Sequence, residues 1–333
     1  LAAGCSMVLK PSEETPMSAL VLAQALAGGR QKEVEVDRRE PRRDAGLVRR
    51  VVARSERERG VGALRRGLLR GAVVTDKETH STFELRAQYV IVADGANSRF
   101  GRALGTSRAK QMPYGTAIRT YWESPRHAEP WIESALDVKD RNGNSMPGYG
   151  WIFPVGDGTI NIGVGLLSTF RDFKSVNTTH LLDAYAHMVA DDWGIDPDKP
   201  TQRATSGRIP MGGSVGPKVG PTYIVVGDAA GSVNPFNGEG IDYAYETARM
   251  AAQVLHQALT ENDPTLLQQY PHLLDEEYGD YFKVARLFAR VIGRPVLMRD
   301  RPRVGMHSRT LMEWVLRIMA NLLRPDEIGP AEA

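Results

Sequence analysis

Several features that mark common protein classes are scarce or missing in this chain of 333 residues. It has a single cysteine, Cys5, which excludes a disulfide framework. No stretch approaches the roughly 20 consecutive apolar residues of a membrane-spanning helix, and the N-terminal residues lack the layout of a secretory signal. With 42% hydrophobic and 25% charged residues, the composition is that of a soluble globular protein, large enough for one large or two ordinary domains. We therefore expect a cytoplasmic protein.

Aromatic residues are absent from the first quarter of the chain. The first one is Phe83, although an aromatic content of 7% predicts about six in that length by simple proportion. Positive charge is concentrated in the same part, because residues 30–70 carry 13 Arg and 1 Lys against 7 acidic residues. Nucleic-acid modules add stacking aromatics or a recognisable fold, and this segment has neither. It predicts an Arg-rich linker or a segment foreign to the fold, with no nucleic-acid partner.

Hydrophobic patterning predicts that folded sequence begins at Gly71. The runs GAVVT, STFELRA and QYVIVADG indicate three strands. The patterning further predicts strands at 114–122, 132–138, 150–153, 159–164 and 223–226, and helices at 179–190, 240–259, 273–291 and 308–323. This mixture indicates an α/β (α+β) fold with a sheet inserted in the middle.

The strongest local motif is TYIVVGDAAGSVNPFNGEGIDYAYETARMAAQVL, which joins a buried strand to a long helix through a loop of small residues. Asp228, at the end of the strand, could accept hydrogen bonds from a ribose hydroxyl, and the glycines allow a ligand close to the backbone. A helix beginning near Gly240 would direct free N–H groups and a positive dipole end at an electron-rich ring. The alternative is that Gly227 and Asp228 form a turn and Asn237 caps the helix.

A second run, YVIVADGANSRFGRALG, repeats this design with Asp94 and Gly95 after a strand. The helix that follows could be capped by Asn97 or Ser98. Many strand-to-helix turns have this pattern, so the run alone is equally consistent with a structural turn.

Together, the two runs resemble the flavin-dependent oxidoreductases related to aromatic hydroxylases. Between them, GYGWIFPVGDGTINIGVG resembles the Tyr-x-Trp-x-Phe-Pro signature of the geranylgeranyl reductase family, although by periodicity alone it would be a hairpin with core aromatics. The resemblance covers residues from about 71 to the end. It is closer still to the branch of actinobacterial menaquinone reductases, through GLLSTFRDFKSVNTT, NPFNGEGIDYAYETAR and RTLMEWVLRIMANLLRPDE.

The resemblance implies an incomplete FAD-binding Rossmann-like domain of the aromatic-hydroxylase type, formed by residues 71–110 and 205–260. An inserted antiparallel-sheet substrate domain would occupy 111–204, and C-terminal helices 261–333. It implies no metal site. The implied FAD-binding residues are Asp94, Gly95, Ser98, Gly227, Asp228, Ala229, Pro235, Gly238, Gly240 and Ile241, and those lining the cavity for a polyprenyl tail are Tyr149, Trp151, Phe153 and Pro154.

The implied reaction is hydride transfer from reduced FAD to an isoprenyl double bond of a polyprenyl lipid such as menaquinone. NAD(P)H or another reductase would supply the electrons, and Glu239, Tyr243 and Tyr149 are candidate proton donors. Two other functions stay open. One is an FAD-dependent aromatic monooxygenase or halogenase, which would share both aspartate motifs, and the other is a non-catalytic remnant or lipid-binding module.

The family's first strand, Gly-x-Gly-x-x-Gly turn and helix, which hold the FAD pyrophosphate, have no counterpart in this sequence. The nearest string, GVGALR at 60–65, has Arg at the third glycine position, and the family's Cys motif is absent. Residues 1–29 resemble a fragment of aldehyde dehydrogenases, in which Lys10 and Glu13 would contact the adenine ribose of NAD, but no catalytic cysteine follows. These features predict a foreign first part joined to a reductase without its first βαβ unit, with impaired activity.

A stripe of apolar residues at helical spacing marks residues 311–322. Core packing would explain the stripe. Docking to the inner face of the cell membrane, with Arg317 and Arg324 at the edge, is the alternative. The stripe consists of Leu311, Trp314, Val315, Ile318, Met319 and Leu322.

Overall fold

The structure is a computed structural model that describes residues 51–54, 64–65, 68–76, 80–135, 138–144, 146, 148–170 and 173–292. The predictions for residues 1–50, for the helix at 308–323 and for the stripe at 311–322 lie outside these residues. Contacts divide the chain into two units. The first contains Leu1–Met112, Pro210–Asn234 and Glu239–Phe282, and the second contains Pro113–Ile209, Pro235–Gly238 and Lys283–Ala333.

The first described part of the first unit consists of short antiparallel strands. They are β1 (Val51–Arg54), β2 (Leu64–Arg65), β3 (Leu68–Leu69), β4 (Gly71–Asp76) and β5 (Thr82–Arg86). Strand β4 lies between β1 and β5, and β2 pairs with β3. Strand structure therefore begins before Gly71, where the sequence predicted folding to start. The reason is that a partner strand provides the hydrogen bonds of β1, which local patterning does not reveal.

The next elements of this unit are β6 (Val90–Val92), α1 (Arg99–Ala103) and β7 (Ser107–Arg108). All three residues of β6 are buried. Of the two predicted caps of α1, Ser98 is the one used, since its Oγ accepts a hydrogen bond from the N–H of Gly101 at 3.0 Å. Asn97 instead accepts a hydrogen bond from the guanidinium group of Arg102.

The second unit is built on a five-stranded sheet covered by a helix. Its elements are β8 (Tyr114–Glu123), β9 (Glu133–Ala135), β10 (Gly148–Pro154), β11 (Thr159–Leu167), α2 (Thr178–Trp193) and β12 (Thr205–Pro210), with the strand order β12-β8-β11-β10-β9. The predicted strands at 114–122, 150–153 and 159–164 are confirmed. The strand predicted at 132–138 is wrong in its bounds, because β9 is an edge strand that pairs with β10 over only three residues.

Helix α2 packs on one face of this sheet. Asn177 caps its first turn, accepting hydrogen bonds from the N–H groups of Thr179 and His180, and Gly194 ends it with a φ of +62°. These caps explain why α2 extends beyond the predicted 179–190. The core between helix and sheet includes Ile152, Ile160, Ile162, Val164, Leu182, Tyr185 and Trp193.

The chain then returns to the first unit. There it forms β13 (Val215–Gly216), β14 (Val219–Gly220), β15 (Tyr223–Val225) and α3 (Ile241–Thr260). Helix α4 (Gln269–Ile292) follows, and it belongs to the first unit up to Phe282 and to the second unit from Lys283. The predicted helix at 240–259 is confirmed. Helix α4 starts four residues before the predicted 273, because Pro271 lies in its first turn, where proline is tolerated. Among the described helices, none combines the length and the hydropathy needed to cross a bilayer.

Gly150 provides a test of the sheet-to-helix packing, because a Cβ at this position would lie 2.3 Å from the ring of Tyr185. We expect Gly150→Ala to lower the free energy of unfolding by about 1–3 kcal/mol through overpacking. The measurement is urea unfolding followed by circular dichroism.

The matched control is Gly207→Ala in β12, where a Cβ would meet no atom within 4 Å. Its stability should stay within about 0.5 kcal/mol of the wild type. Equal effects of the two substitutions would contradict the packing assigned to Tyr185.

Candidate functional site

Two aspartates are brought to one sheet edge by a parallel strand pair in the first unit. Strands β6 and β15 pair in parallel, with Val90 opposite Tyr223 and Val92 opposite Val225. Asp94 follows β6 by two residues and Asp228 follows β15 by three. Because paired parallel strands lie about 4.8 Å apart and end at the same edge, both carboxylates belong to that edge.

The Asp94 carboxylate has an acceptor oxygen available. Its Oδ2 accepts a hydrogen bond from the N–H of Phe100 at 3.0 Å, whereas its Oδ1 is buried and has no hydrogen-bond partner among the described residues. Gly95 turns the chain with a φ of +77°. A buried acceptor of this kind suits a ligand hydroxyl, such as those of the sugar parts of FAD. The hydroxyl of Ser98 acts as the cap of α1, so its contact with a flavin stays a prediction.

Asp228 lies in the tight turn Gly227–Ala230. Gly227 has a φ of +59°, donates its N–H to the Thr247 hydroxyl, and would place a Cβ 3.3 Å from that of Ala244 on α3. Burial, reinforced by the charge of Glu239, raises the pKa of Asp228 to about 6. Ala229 is buried in the core of the unit.

The N-terminus of α3 faces this turn. Gly240 precedes the helix, and a Cβ on it would lie 3.0 Å from Oδ1 of Asp228. Gly240 provides no side-chain cap, and the N–H of Asp242 donates to Oε1 of Glu239. The alternative that Asn237 caps the helix is therefore wrong. Glycine keeps the space beside Asp228 clear of a side chain, and the Glu239 carboxylate lies at the positive end of α3. Ile241, also predicted to contact FAD, is exposed.

The loop before α3 is held by a buried asparagine that the sequence reasoning missed. The N–H of Asn234 donates to the carbonyl oxygen of Glu239 at 2.8 Å, and its side-chain amide donates to the Tyr281 hydroxyl at 2.7 Å. Asn234 is fully buried, and Tyr281 stacks on Tyr243. Asn234 lies in the loop motif between β15 and α3, so the sequence offered a signal for its role. Nothing in the sequence connects Tyr281 with this loop.

The three candidate proton donors have different environments. Burial raises the pKa of Tyr243 and that of Glu239. The Tyr149 hydroxyl donates a hydrogen bond to the carbonyl oxygen of Asn237, within the second unit. Tyr149 is thereby connected to the segment Pro235–Gly238, which contains two of the residues predicted to contact FAD.

The predicted substrate residues lie along β10. Tyr149, Trp151 and Phe153 alternate with residues that face α2, so they share the opposite face of the sheet, and we call these three residues the aromatic strip. Neighbouring ring centroids lie 5.7 and 6.1 Å apart. Pro154 differs from the prediction, because the same alternation places it on the α2 face.

Glycine on the neighbouring strand makes room for the strip. A Cβ at Gly163 of β11 would lie 2.1 Å from the ring of Trp151, so only glycine allows the indole to lie flat on the sheet. The indole N–H donates to the side chain of Asn161 at 2.9 Å, which fixes the ring orientation. Exposure rises along the strand, from 9% for Trp151 to 38% for Phe153.

Asp183, His187 and Asp198 could together offer ligand atoms to a metal ion. The group is at the surface, and the Arg141 guanidinium already pairs with Asp183 at 2.7 Å. A cation beside that guanidinium would be repelled. The prediction that the function needs no metal stays a prediction.

The raised pKa of Asp228 predicts a stability cost at neutral pH. The folded chain holds this proton more tightly than the unfolded chain, whose pKa is about 3.8, so stability falls as the pH rises from about 4 to about 6. We expect Asp228→Asn to raise the free energy of unfolding by about 1–2 kcal/mol above pH 6 and to leave it unchanged below pH 4. The same variant should bind FAD at least about tenfold more weakly in a fluorescence titration.

Asp157→Asn is the matched control for Asp228→Asn. Hydrogen bonds from the hydroxyl and N–H of Thr159 lower the pKa of this exposed carboxyl. Asp157→Asn should therefore lower the free energy of unfolding above about pH 4, because the wild-type carboxylate stabilises the folded state there. This stabilisation is lost as the pH falls below about 4. A destabilised Asp228→Asn variant at neutral pH would refute the assignment.

The hydrogen bond between Asn234 and Tyr281 predicts a second effect. Tyr281→Phe should lower the free energy of unfolding by about 1–2 kcal/mol, because a buried amide loses this partner. Tyr185→Phe is the control, since the Tyr185 hydroxyl is buried without a hydrogen-bond partner among the described residues. That substitution should be neutral or slightly stabilising in the same urea titration.

Part of the chain matches a known protein family. Residues 32–157 match the family model described as an FAD binding domain. The match begins inside the segment 30–70 that the sequence predicted to be a linker or foreign to the fold.

Curated relatives are reductases. The chain is 41% identical over 239 residues to the menaquinone reductase of Mycolicibacterium smegmatis and 38% identical over 244 residues to that of Mycobacterium tuberculosis. These matches cover 72% and 73% of this chain but 57% and 58% of the relatives. It is also 32% identical to digeranylgeranylglycerophospholipid reductase 2 of Methanosphaera stadtmanae, covering 64% of this chain and 52% of that protein. The chain thus spans less than two thirds of the length of these relatives.

Solved structures share the fold. A geranylgeranyl bacteriochlorophyll reductase-like protein from Thermoplasma acidophilum aligns with a TM-score of 0.57 at 23% identity, covering 77% of this chain and 60% of that one. A flavin-dependent brominase aligns with a TM-score of 0.52 at 16% identity, covering 81% and 68%. The predicted fold class, an FAD-binding domain of the aromatic-hydroxylase type with mixed helix and sheet, is confirmed. The chain is thus similar in sequence to menaquinone reductases and to digeranylgeranylglycerophospholipid reductases, and it shares its fold with these two solved structures.

Proposed function

We propose that this chain is an FAD-dependent reductase that saturates an isoprenyl double bond of a polyprenyl lipid such as menaquinone. The observation that carries the proposal is the aromatic strip, which Tyr149 connects to the Pro235–Gly238 loop. An apolar tail lying on the strip would bring its double bonds beside a loop predicted to contact the flavin. The similarity to reductases of menaquinone and of digeranylgeranylglycerophospholipids supports this substrate class.

The donor set of the first unit fits FAD. The buried Oδ1 of Asp94 and the carboxylate of Asp228 would accept hydrogen bonds from hydroxyl groups of the cofactor. Gly227 and Gly240 keep the backbone free of side chains there, and the positive end of α3 would stabilise negative charge on a reduced flavin ring. When bound, FAD supplies a hydride to one carbon of the double bond, and NAD(P)H or another reductase would provide the electrons.

The protein's own contribution is to orient the tail, exclude water and hold a proton. Trp151 is oriented by Asn161 and lies flat against Gly163, so it offers a fixed apolar surface to the tail. For the proton we favour Glu239, because burial raises the pKa of its carboxyl, so that it keeps its proton at higher pH than an exposed one. The Tyr149 hydroxyl already donates its hydrogen to Asn237.

The test is anaerobic reduction of menaquinone by the FAD-loaded protein with dithionite as electron source. The expected product carries two additional hydrogen atoms in the tail, as measured by mass spectrometry. In a separate assay with oxygen, NADPH and halide, a product with an inserted oxygen or halogen atom would favour the monooxygenase or halogenase alternative. Failure to bind FAD at all would favour the lipid-binding alternative.

Trp151→Ala tests the strip within this reaction. We expect the KM for a long-tailed menaquinone to rise by about 10- to 100-fold, because the tail loses apolar contact area. The KM for an analogue with a truncated tail should change little, and Trp151→Phe should restore most of the loss. An equal increase for both substrates would contradict tail binding at the strip.

A further inference from the structure

Three exposed apolar residues lie where the aromatic strip reaches the protein surface. Trp131, Ile132 and Val155 are 53%, 67% and 45% exposed, and we call them the hydrophobic rim. Single exposed apolar residues are common on protein surfaces, whereas several of them grouped together often mark an interaction surface.

The strand register places Ile132 and Val155 beside the aromatic strip, and Trp131 directly precedes Ile132 in the chain. Glu133 of β9 pairs with Ile152 of β10, so Ile132 continues this register beside Phe153. The hairpin tip after β10 carries Val155. The loop before β9 is bonded to that tip through His127. The carbonyl oxygen of His127 accepts a hydrogen bond from the N–H of Gly156 at 2.8 Å, and the ring Nδ1 of His127 accepts one from the N–H of Gly158 at 3.0 Å.

The rim continues the aromatic strip without interruption. Phe153 stands between Trp151 and Val155 at the strand's alternate positions, so apolar side chains run from Tyr149 to the rim. Six residues of extended strand span about 20 Å. One end of this path contacts the Pro235–Gly238 loop through Tyr149, and the other end is open to solvent.

The charges around the rim are mainly negative. Glu129, Glu133 and Asp157 flank it, whereas Arg126 is the cationic residue of this loop and is paired with Glu129 at 3.2 Å. Carboxylates of this kind disfavour an anionic partner surface. Attraction at the rim must therefore come from apolar burial, for which an exposed tryptophan is well suited at the interface of a bilayer.

We propose that the hydrophobic rim docks on the bilayer surface and is where a polyprenyl tail passes from the membrane onto the aromatic strip. This inference rests on the proposed function for the identity of the tail, but the docking itself needs no cofactor. Docking by the stripe at 311–322 would differ, because Arg317 and Arg324 at its edge would prefer anionic lipid.

The test is flotation of the full chain with phosphatidylcholine vesicles and with vesicles that also contain phosphatidylglycerol. The wild type should bind both, with no gain from the anionic lipid. The triple variant Trp131→Ser, Ile132→Ser, Val155→Ser should bind at least about tenfold more weakly. Met188→Ser is the matched control, because Met188 is also 45% exposed but lies on α2, and it should bind like the wild type.

Two further measurements separate the possible outcomes. Brominated lipid should quench the tryptophan fluorescence of the wild type more than that of Trp131→Phe. This difference is expected even if Trp131→Phe binds vesicles as well as the wild type does. Turnover of detergent-dispersed menaquinone should be unchanged in the triple variant and reduced only on vesicles.

The proposal is overturned if the wild type does not bind phosphatidylcholine vesicles, if binding requires anionic lipid, or if the triple variant binds like the wild type. A wild type that binds vesicles through the rim but never reduces menaquinone in detergent would instead refute the proposed function and leave the docking surface standing.

Discussion

The parallel pairing of β6 with β15 is the constraint on which the candidate cofactor site depends. The two strands lie far apart in the sequence, and each is only three residues long, yet every residue in both is buried. Burial of these apolar residues, with Leu69, Phe100 and Ala230 around them, stabilises a contact that two such short strands could not maintain by hydrogen bonding alone. Because the pairing is parallel, the chain leaves both strands at the same edge. Asp94 and Asp228 therefore both lie at that edge, and Gly240 at the start of α3 lies beside Asp228.

The same logic of alternation gives the sheet of the second unit two different faces. Residues facing α2 are large and apolar and form a closed core. On the opposite face, glycine on β11 clears space that the rings of β10 occupy, and the exposure of these rings rises from 9% at Trp151 to 38% at Phe153. An aromatic ring that packs on glycine is fixed in position, which suits one wall of a binding site for an apolar chain.

Polar groups at the cofactor loop show a compromise between stability and chemistry. Asn234 is buried, and its backbone N–H and side-chain amide both donate hydrogen bonds that hold the loop. Asp228 is different, since burial raises the pKa of its carboxyl and the folded protein is less stable when that group is ionised. Ligand binding explains why a buried carboxylate that lowers the stability of the folded protein is present at this position.

The sequence by itself determined the types and approximate positions of most described strands and helices, because hydrophobic periodicity and caps are local signals. It also located both aspartate motifs and the aromatic alternation of β10. Tertiary structure decided what depends on a distant partner: the pairing of β1, the short span of β9, the choice of Ser98 as cap, and the hydrogen bond from Asn234 to Tyr281. Strand alternation in the sequence could have predicted the face on which Pro154 lies. Asn237 is not the N-cap of α3, because a hydrogen bond between Asn234 and Glu239 closes the loop before the helix. Contacts between residues distant in sequence are set by which surfaces can be buried together, and no local pattern contains that information.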